Sequence, residues 1–94
     1  MIGVWIEYRA RPGRREECLA ALRRNCAETL RDDGCLRMEL GTPATGDGAT
    51  IVLSELWRDE AALAAHRARP GHDAGHAAVD ALVESRRVVR YDLA

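Results

Sequence analysis

The chain has 94 residues, room for one hydrophobic core, since domains run from about 50 to 250 residues; a single domain over 1–94 is expected. Hydrophobic residues make up 47% and charged residues 31%, and 14 basic against 15 acidic side chains leave a formal charge of −1. No apolar run approaches the ~20 residues that span a bilayer and no single-sign block tracks a phosphate backbone, so neither membrane nor nucleic acid is an expected partner.

All the basic residues are Arg, and the missing Lys removes Schiff-base and lysine-nucleophile chemistry. The first residues form a short apolar stretch interrupted by Glu7, without the basic leader of a secretory signal, so cytoplasmic residence is the expectation. Cys18, Cys26 and Cys35 are odd in number and widely spaced, which points to reduced, buried thiols. A chain this short buries only about 60–65% of its unfolded surface, which favours self-association.

From Ile2 to Tyr8, β-branched and aromatic residues predict a strand that Arg11-Pro12-Gly13 ends. Residues 14–31 predict an amphipathic helix, with Cys18, Leu22, Cys26, Thr29 and Leu30 on one side and Arg15, Glu16, Arg23, Arg24 and Glu28 on the other. Asp32-Asp33-Gly34 closes it. Leu36, Met38 and Leu40 then alternate with Arg37 and Glu39 in a second strand, and 41–49 forms a hairpin loop. The third strand is predicted over Thr50 to Trp57, after which Asp59 caps a helix carrying Ala62, Leu63 and His66. Pro70-Gly71 breaks it. A further helical piece over about 72–84 carries His76, Val79 and Val83, and Val88 to Leu93 returns as a fourth strand.

The order β-α-β-β-α-β is that of a ferredoxin-like α+β sandwich, with helices on one face of an antiparallel sheet. The third strand carries Ile51, Leu53, Glu55 and Trp57 on one side and Val52, Ser54 and Leu56 on the other. Helices can cover only one of these faces, so the second is expected to meet its copy in a homodimer.

His66, His72 and His76 fall in one short window, the last two at the i, i+4 spacing of one helix face. Asp80 could join them as a third metal ligand, but such spacings arise often by chance and no Cys accompanies them; no metal is expected, and the plain reading of His72 and His76 is exposed or capping side chains. His66 follows Leu63 and Ala62 on the apolar stripe, so it is either a core histidine bonded to backbone or carboxylate, or a general base. Glu55, between Leu53 and Trp57, points into a pocket or pairs with an Arg, the safer reading. Trp5, Tyr8, Trp57 and Tyr91 fill core volume or offer a stacking surface, and Arg37 and Arg90 are more often solvated than ligand-binding. No Gly-rich phosphate loop, dinucleotide fingerprint or serine elbow is present, and Cys35 lacks a cue for activation; no cofactor is expected.

Arg11-Pro12-Gly13, Gly34-Cys35-Leu36, Glu55-Leu56-Trp57, Ala61-Ala62-Leu63-Ala64-Ala65-His66 and Pro70 together resemble the antibiotic biosynthesis monooxygenase family of small dimeric α+β barrels, over nearly the whole chain. Proteins of that group include cofactor-free oxygenases of polyketide phenols, quinol oxygenases, haem-degrading enzymes and a sugar isomerase. The haem-degrading pattern has an Asn on strand one, a Trp at the position of His66 and a ligand His at that of His76; here only His76 agrees, Ile6 or its neighbours replacing the Asn. Gly71 also separates Pro70 from His72, which adjoin in the commoner pattern. A His at position 66 is frequent in the quinol and polyketide branches.

The resemblance implies a cofactor-independent monooxygenase that oxidises a phenol, anthrone or quinol with molecular oxygen. His66 would take the proton, with Glu55 orienting it or the substrate and Trp57 beside them. Tyr8, Ile6, Met38, His72 and His76 would line the pocket. The Arg-, Ala- and Gly-rich composition fits a GC-rich bacterial genome, and the resemblance implies a role in secondary metabolism. A cofactor-free isomerase or cyclase, and a non-catalytic dimeric binding module, are the alternatives.

Overall fold

A computed structural model describes residues 1–93. In chain order it contains β1 (Ile2–Ala10), α1 (Arg15–Thr29), β2 (Cys35–Gly41), β3 (Thr50–Trp57), α2 (Glu60–Ala68), α3 (His72–Asp80) and β4 (Val83–Asp92). The four strands form one antiparallel sheet in the order β2-β3-β1-β4, the ferredoxin-like arrangement expected.

The alternation in β1 and β3 decides which face the helices cover. Ile2, Val4, Ile6, Tyr8 and Ala10 share the inner face with Ile51, Leu53, Glu55 and Trp57, all buried beneath the helices. Cys18, Ala21, Leu22, Cys26 and Thr29 of α1, with Ala62 and Leu63 of α2 and Val79 of α3, close the core from above. Trp57, Leu22, Ile51, Leu63 and Cys18 are its most enclosed side chains. Asp59 caps α2 as expected, its Oδ1 accepting from the Ala62 amide at 2.8 Å. At the Pro70-Gly71 break, Gly71 takes φ +89°, a left-handed turn that lets α3 leave α2 at a new angle.

Several boundaries differ from the sequence expectation. β1 runs two residues further, and β4 starts at Val83, five residues early, so Val83 is a strand residue and α3 stops at Asp80. β4 is an edge strand whose Glu84, Ser85, Arg86 and Arg87 have no apolar periodicity; its early part is specified by pairing with Arg9, Tyr8 and Glu7 of β1. Leu30 is 51% exposed, because one step past buried Thr29 turns it about 100° off the covered stripe. Leu36 is equally exposed, since a register shift between Cys35 and Arg37 takes it out of the alternation. Trp5 and Tyr91 lie on the uncovered face instead of filling core. The three cysteines are free thiols, Cys18 and Cys26 buried and Cys35 half-buried. No helix among the described residues is long and apolar enough to cross a membrane.

Candidate active site

A cleft opens between α1 and α3 over the inner face of the sheet. Tyr8, Met38, Glu55 and Arg86 come from the strands, Asn25, Cys26 and Thr29 from α1, and His66, His72 and His76 from the second helical layer. It encloses about 50 Å³ and, with its open mouth, about 530 Å³ of free space. A bound ring would occupy the mouth of the cleft as well as its interior.

The break at Pro70-Gly71 brings His66 of α2 into line with His72 and His76 of α3, whereas a continuous helix would have turned it to another face. Trp57 and His66 have ring centroids 4.8 Å apart, His66 and His72 4.7 Å in an edge-on contact, and His72 and His76 4.4 Å. His72 and His76 are thus wall residues of the cleft, not the exposed or capping side chains of the plain reading. Among the described residues, no three His, Cys, Asp or Glu side chains are placed to hold a metal ion, and Asp80 pairs with Arg86 at 3.3 Å.

His66 combines both readings its position allowed, a histidine bonded to a carboxylate and one that lines the cleft. The partner is Asp32, whose Oδ2 lies 2.7 Å from His66 Nδ1. An ionised carboxylate only accepts, so Nδ1 carries the proton and Nε2 is left as the free nitrogen. Arg69, three residues after His66, holds Asp32 from the other side with Nε 3.1 and 3.2 Å from the two carboxylate oxygens. Burial pushes the His66 pKa below its ordinary value, outweighing the hydrogen bond it gives to Asp32, so the ring is neutral near pH 7. His76 is also pushed down, by burial first and then by the nearby His72 and Arg86.

Among the described residues, Glu55 makes no ion pair with an Arg. Its Oε1 accepts from Trp57 Nε1 at 2.9 Å, and burial raises its pKa against that bond. The Tyr8 phenol is pushed well above its ordinary value by burial, with Glu55 adding to the effect, and stays neutral. Cys26 is pushed up to about 11 by burial, which keeps it a thiol and a poor nucleophile.

Of the anticipated residues, Tyr8, Met38, Glu55, His66, His72 and His76 meet at the cleft, whereas Ile6 and Trp57 do not line it. Ile6 is core, and Trp57, fully buried, backs His66. Arg37 bonds Ser54 on the outer face, and Arg90 pairs with Glu60. Asp32, Arg69, Arg86 and Asn25 were missed. The spacing of His66 and Arg69 on one helix face was the available signal for the first two; Asp32 read only as turn punctuation.

These features define a small α+β protein with a histidine-lined cleft between its helices and its sheet. The chain belongs to the antibiotic biosynthesis monooxygenase family, which matches residues 1–78. Among solved structures, it is similar to Rv0793 from Mycobacterium tuberculosis, with 29% identity and a TM-score of 0.89 over 99% of this chain and 94% of that one. Protein SO0527 from Shewanella oneidensis is 28% identical, with a TM-score of 0.85 over 96% and 87% of the two chains. PA3566 from Pseudomonas aeruginosa is 26% identical, with a TM-score of 0.85 over 99% and 94%. No curated protein matches the chain significantly.

Proposed function

We propose that the protein is a cofactor-independent monooxygenase of a quinol or related phenol, acting in the cytoplasm as a homodimer, in secondary metabolism. The observation that carries this reading is His66, a neutral imidazole on the cleft wall whose Nδ1 is held by Asp32. Its Nε2 takes the hydroxyl proton, which leaves an electron-rich ring anion. That anion passes one electron to oxygen, and the two radicals join at a ring carbon. The peroxide so formed takes back the proton and loses water, so that quinol plus oxygen gives hydroxyquinone plus water.

The dimer reading rests on the outer sheet face. Trp5, Val89 and Tyr91 are 36–39% exposed there beside half-buried Val52 and Leu56, an apolar surface that a second copy would cover. The test of function is oxygen uptake with hydroquinone and methylhydroquinone, corrected for autoxidation. The wild type should accelerate it, and His66→Ala should lower the rate by about 100-fold or more. Equal rates for the two proteins would exclude His66 as the base, and product of unchanged mass would mark an isomerase.

A further inference from the structure

Two cleft histidines are locked by their neighbours in opposite tautomers. His66 gives its Nδ1–H to Asp32 at 2.7 Å, which leaves Nε2 with a lone pair. Arg86 NH1 lies 3.0 Å from His76 Nδ1, and a guanidinium only donates, so His76 Nδ1 is the acceptor and its proton sits on Nε2. Asp80 fixes Arg86 from below, as Arg69 fixes Asp32. His72 stands between the two rings, with centroids 4.7 Å from His66 and 4.4 Å from His76.

We propose that this pair reads a substrate by polarity: His66 Nε2 accepts from a hydroxyl at one end of the molecule while His76 Nε2–H donates to a carbonyl or second oxygen at the other. His72 touches both rings, which limits the separation of His66 and His76 to two successive ring contacts, a reach that one aromatic ring carrying oxygens at opposite ends can fill. Where the far oxygen is a conjugated carbonyl, proton loss to His66 moves negative charge through the ring onto it, where the His76 donor meets it; where it is a second hydroxyl, the same donor holds its lone pair and the charge stays on the first oxygen and the ring. Asp32 and Arg86 are positioning residues, each acting through its histidine. The inference deepens the proposed function and rests on its placement of substrate in the cleft.

The tautomers can be read without any substrate, from long-range proton–nitrogen correlation spectra of uniformly labelled protein. His66 should show its proton on Nδ1 and His76 on Nε2. In Asp32→Asn the amide can donate to Nδ1, which should move the His66 proton to Nε2; Arg86→Leu should free His76 Nδ1. The ligand side uses p-hydroxybenzaldehyde, with its hydroxyl and carbonyl at opposite ends, against phenol and benzaldehyde, which carry one each. The first should bind the wild type about tenfold or more tighter than either of the others, and each positioning variant should remove most of that advantage. A His66 proton on Nε2 in the wild type, or equal affinity for the three probes, overturns the proposal. If both expectations hold while quinols show no catalysed oxygen uptake, the recognition pair stands and the monooxygenase reading falls.

Discussion

The phenol end of Tyr91 of β4 packs over Gly3 of β1 on the outer face of the sheet, where a Cβ on residue 3 would overlap the Tyr91 Cζ. The glycine is therefore not a strand defect: it is the recess that holds an aromatic ring against the sheet. Gly3→Ala should push Tyr91 outward. Because that ring is at an edge and partly exposed, it can rotate into solvent, and the change in monomer stability should stay within about 1 kcal/mol. The larger effect should fall on assembly, since the displaced ring would stand in the proposed dimer contact. Sedimentation velocity over a dilution series should show Gly3→Ala dissociating at higher concentration than the wild type. Identical profiles would remove Tyr91 from the contact.

Trp57 supports the site from behind, through its packing on His66 and its N–H bond to Glu55. Trp57→Phe keeps most of the volume but leaves the buried Glu55 oxygen without its donor, a loss of about 1–3 kcal/mol. Trp57→Ala adds a cavity and should cost about 3–5 kcal/mol. With Glu55→Gln in the same chain, Trp57→Phe should cost less, because the residue left without a donor no longer carries charge. A double-mutant cycle by urea unfolding measures the difference, and strict additivity would mean that the bond contributes nothing.

Stability should depend on pH from both sides. His66 and His76 have lowered folded pKa values, chiefly through burial, so their contribution is complete above the unfolded value of about 6.5 and is lost as pH falls below it. Glu55 is raised by burial, so its contribution is complete below the unfolded carboxylate range and is lost as pH rises through its folded value. Urea midpoints should thus fall on acidification from neutrality in the wild type. Glu55→Gln should abolish the part of the curve that declines as pH rises, leaving the acid-side losses of the histidines and of Asp33, Asp47 and Asp59, whose hydrogen bonds hold their carboxyls below the usual range. A Glu55→Gln curve parallel to the wild type throughout would contradict the buried, raised carboxyl.

The fold was legible because its central strands are amphipathic at period two and their neighbours at helical period, down to the Asp59 cap and the Pro70-Gly71 break. Where the pattern failed, as at the charged start of β4 and at Leu36, pairing geometry and not side-chain hydrophobicity specifies the structure. His66 and Glu55 were visible as polar residues at positions of apolar periodicity, and His72 and His76 through their i, i+4 spacing alone, which also fits exposed side chains. Asp32 and Arg86 were not: they reach the cleft through tertiary contact, from a turn and an edge strand whose local sequence also fits solvent exposure. Glu55 was expected to orient His66 or the substrate, and the carboxylate on His66 is that of Asp32, since strand alternation gives a side chain's face and not its partner.

The turn that delivers Asp32 depends on Gly34 in two separable ways. Its φ of +85° is costly for any L-residue, and a Cβ there would overlap that of Ala62 in α2. Gly13 has a similar φ, +74°, but nothing within 4 Å of where its Cβ would lie. Gly13→Ala should therefore report the backbone term alone, about 1 kcal/mol, while Gly34→Ala should cost at least twice as much. Relief of the overlap requires α2 to move, and α2 carries His66 toward Asp32, so Gly34→Ala should also disturb the His66 ring-nitrogen resonances where Gly13→Ala leaves them unchanged. Ala62→Gly combined with Gly34→Ala should restore those resonances, although it leaves the backbone term in place and adds a helix glycine of about 1 kcal/mol. Equal destabilisation by the two single alanine substitutions, with His66 unperturbed in both, would show that the turn and the helix are not packed tightly enough for Gly34 to position the site.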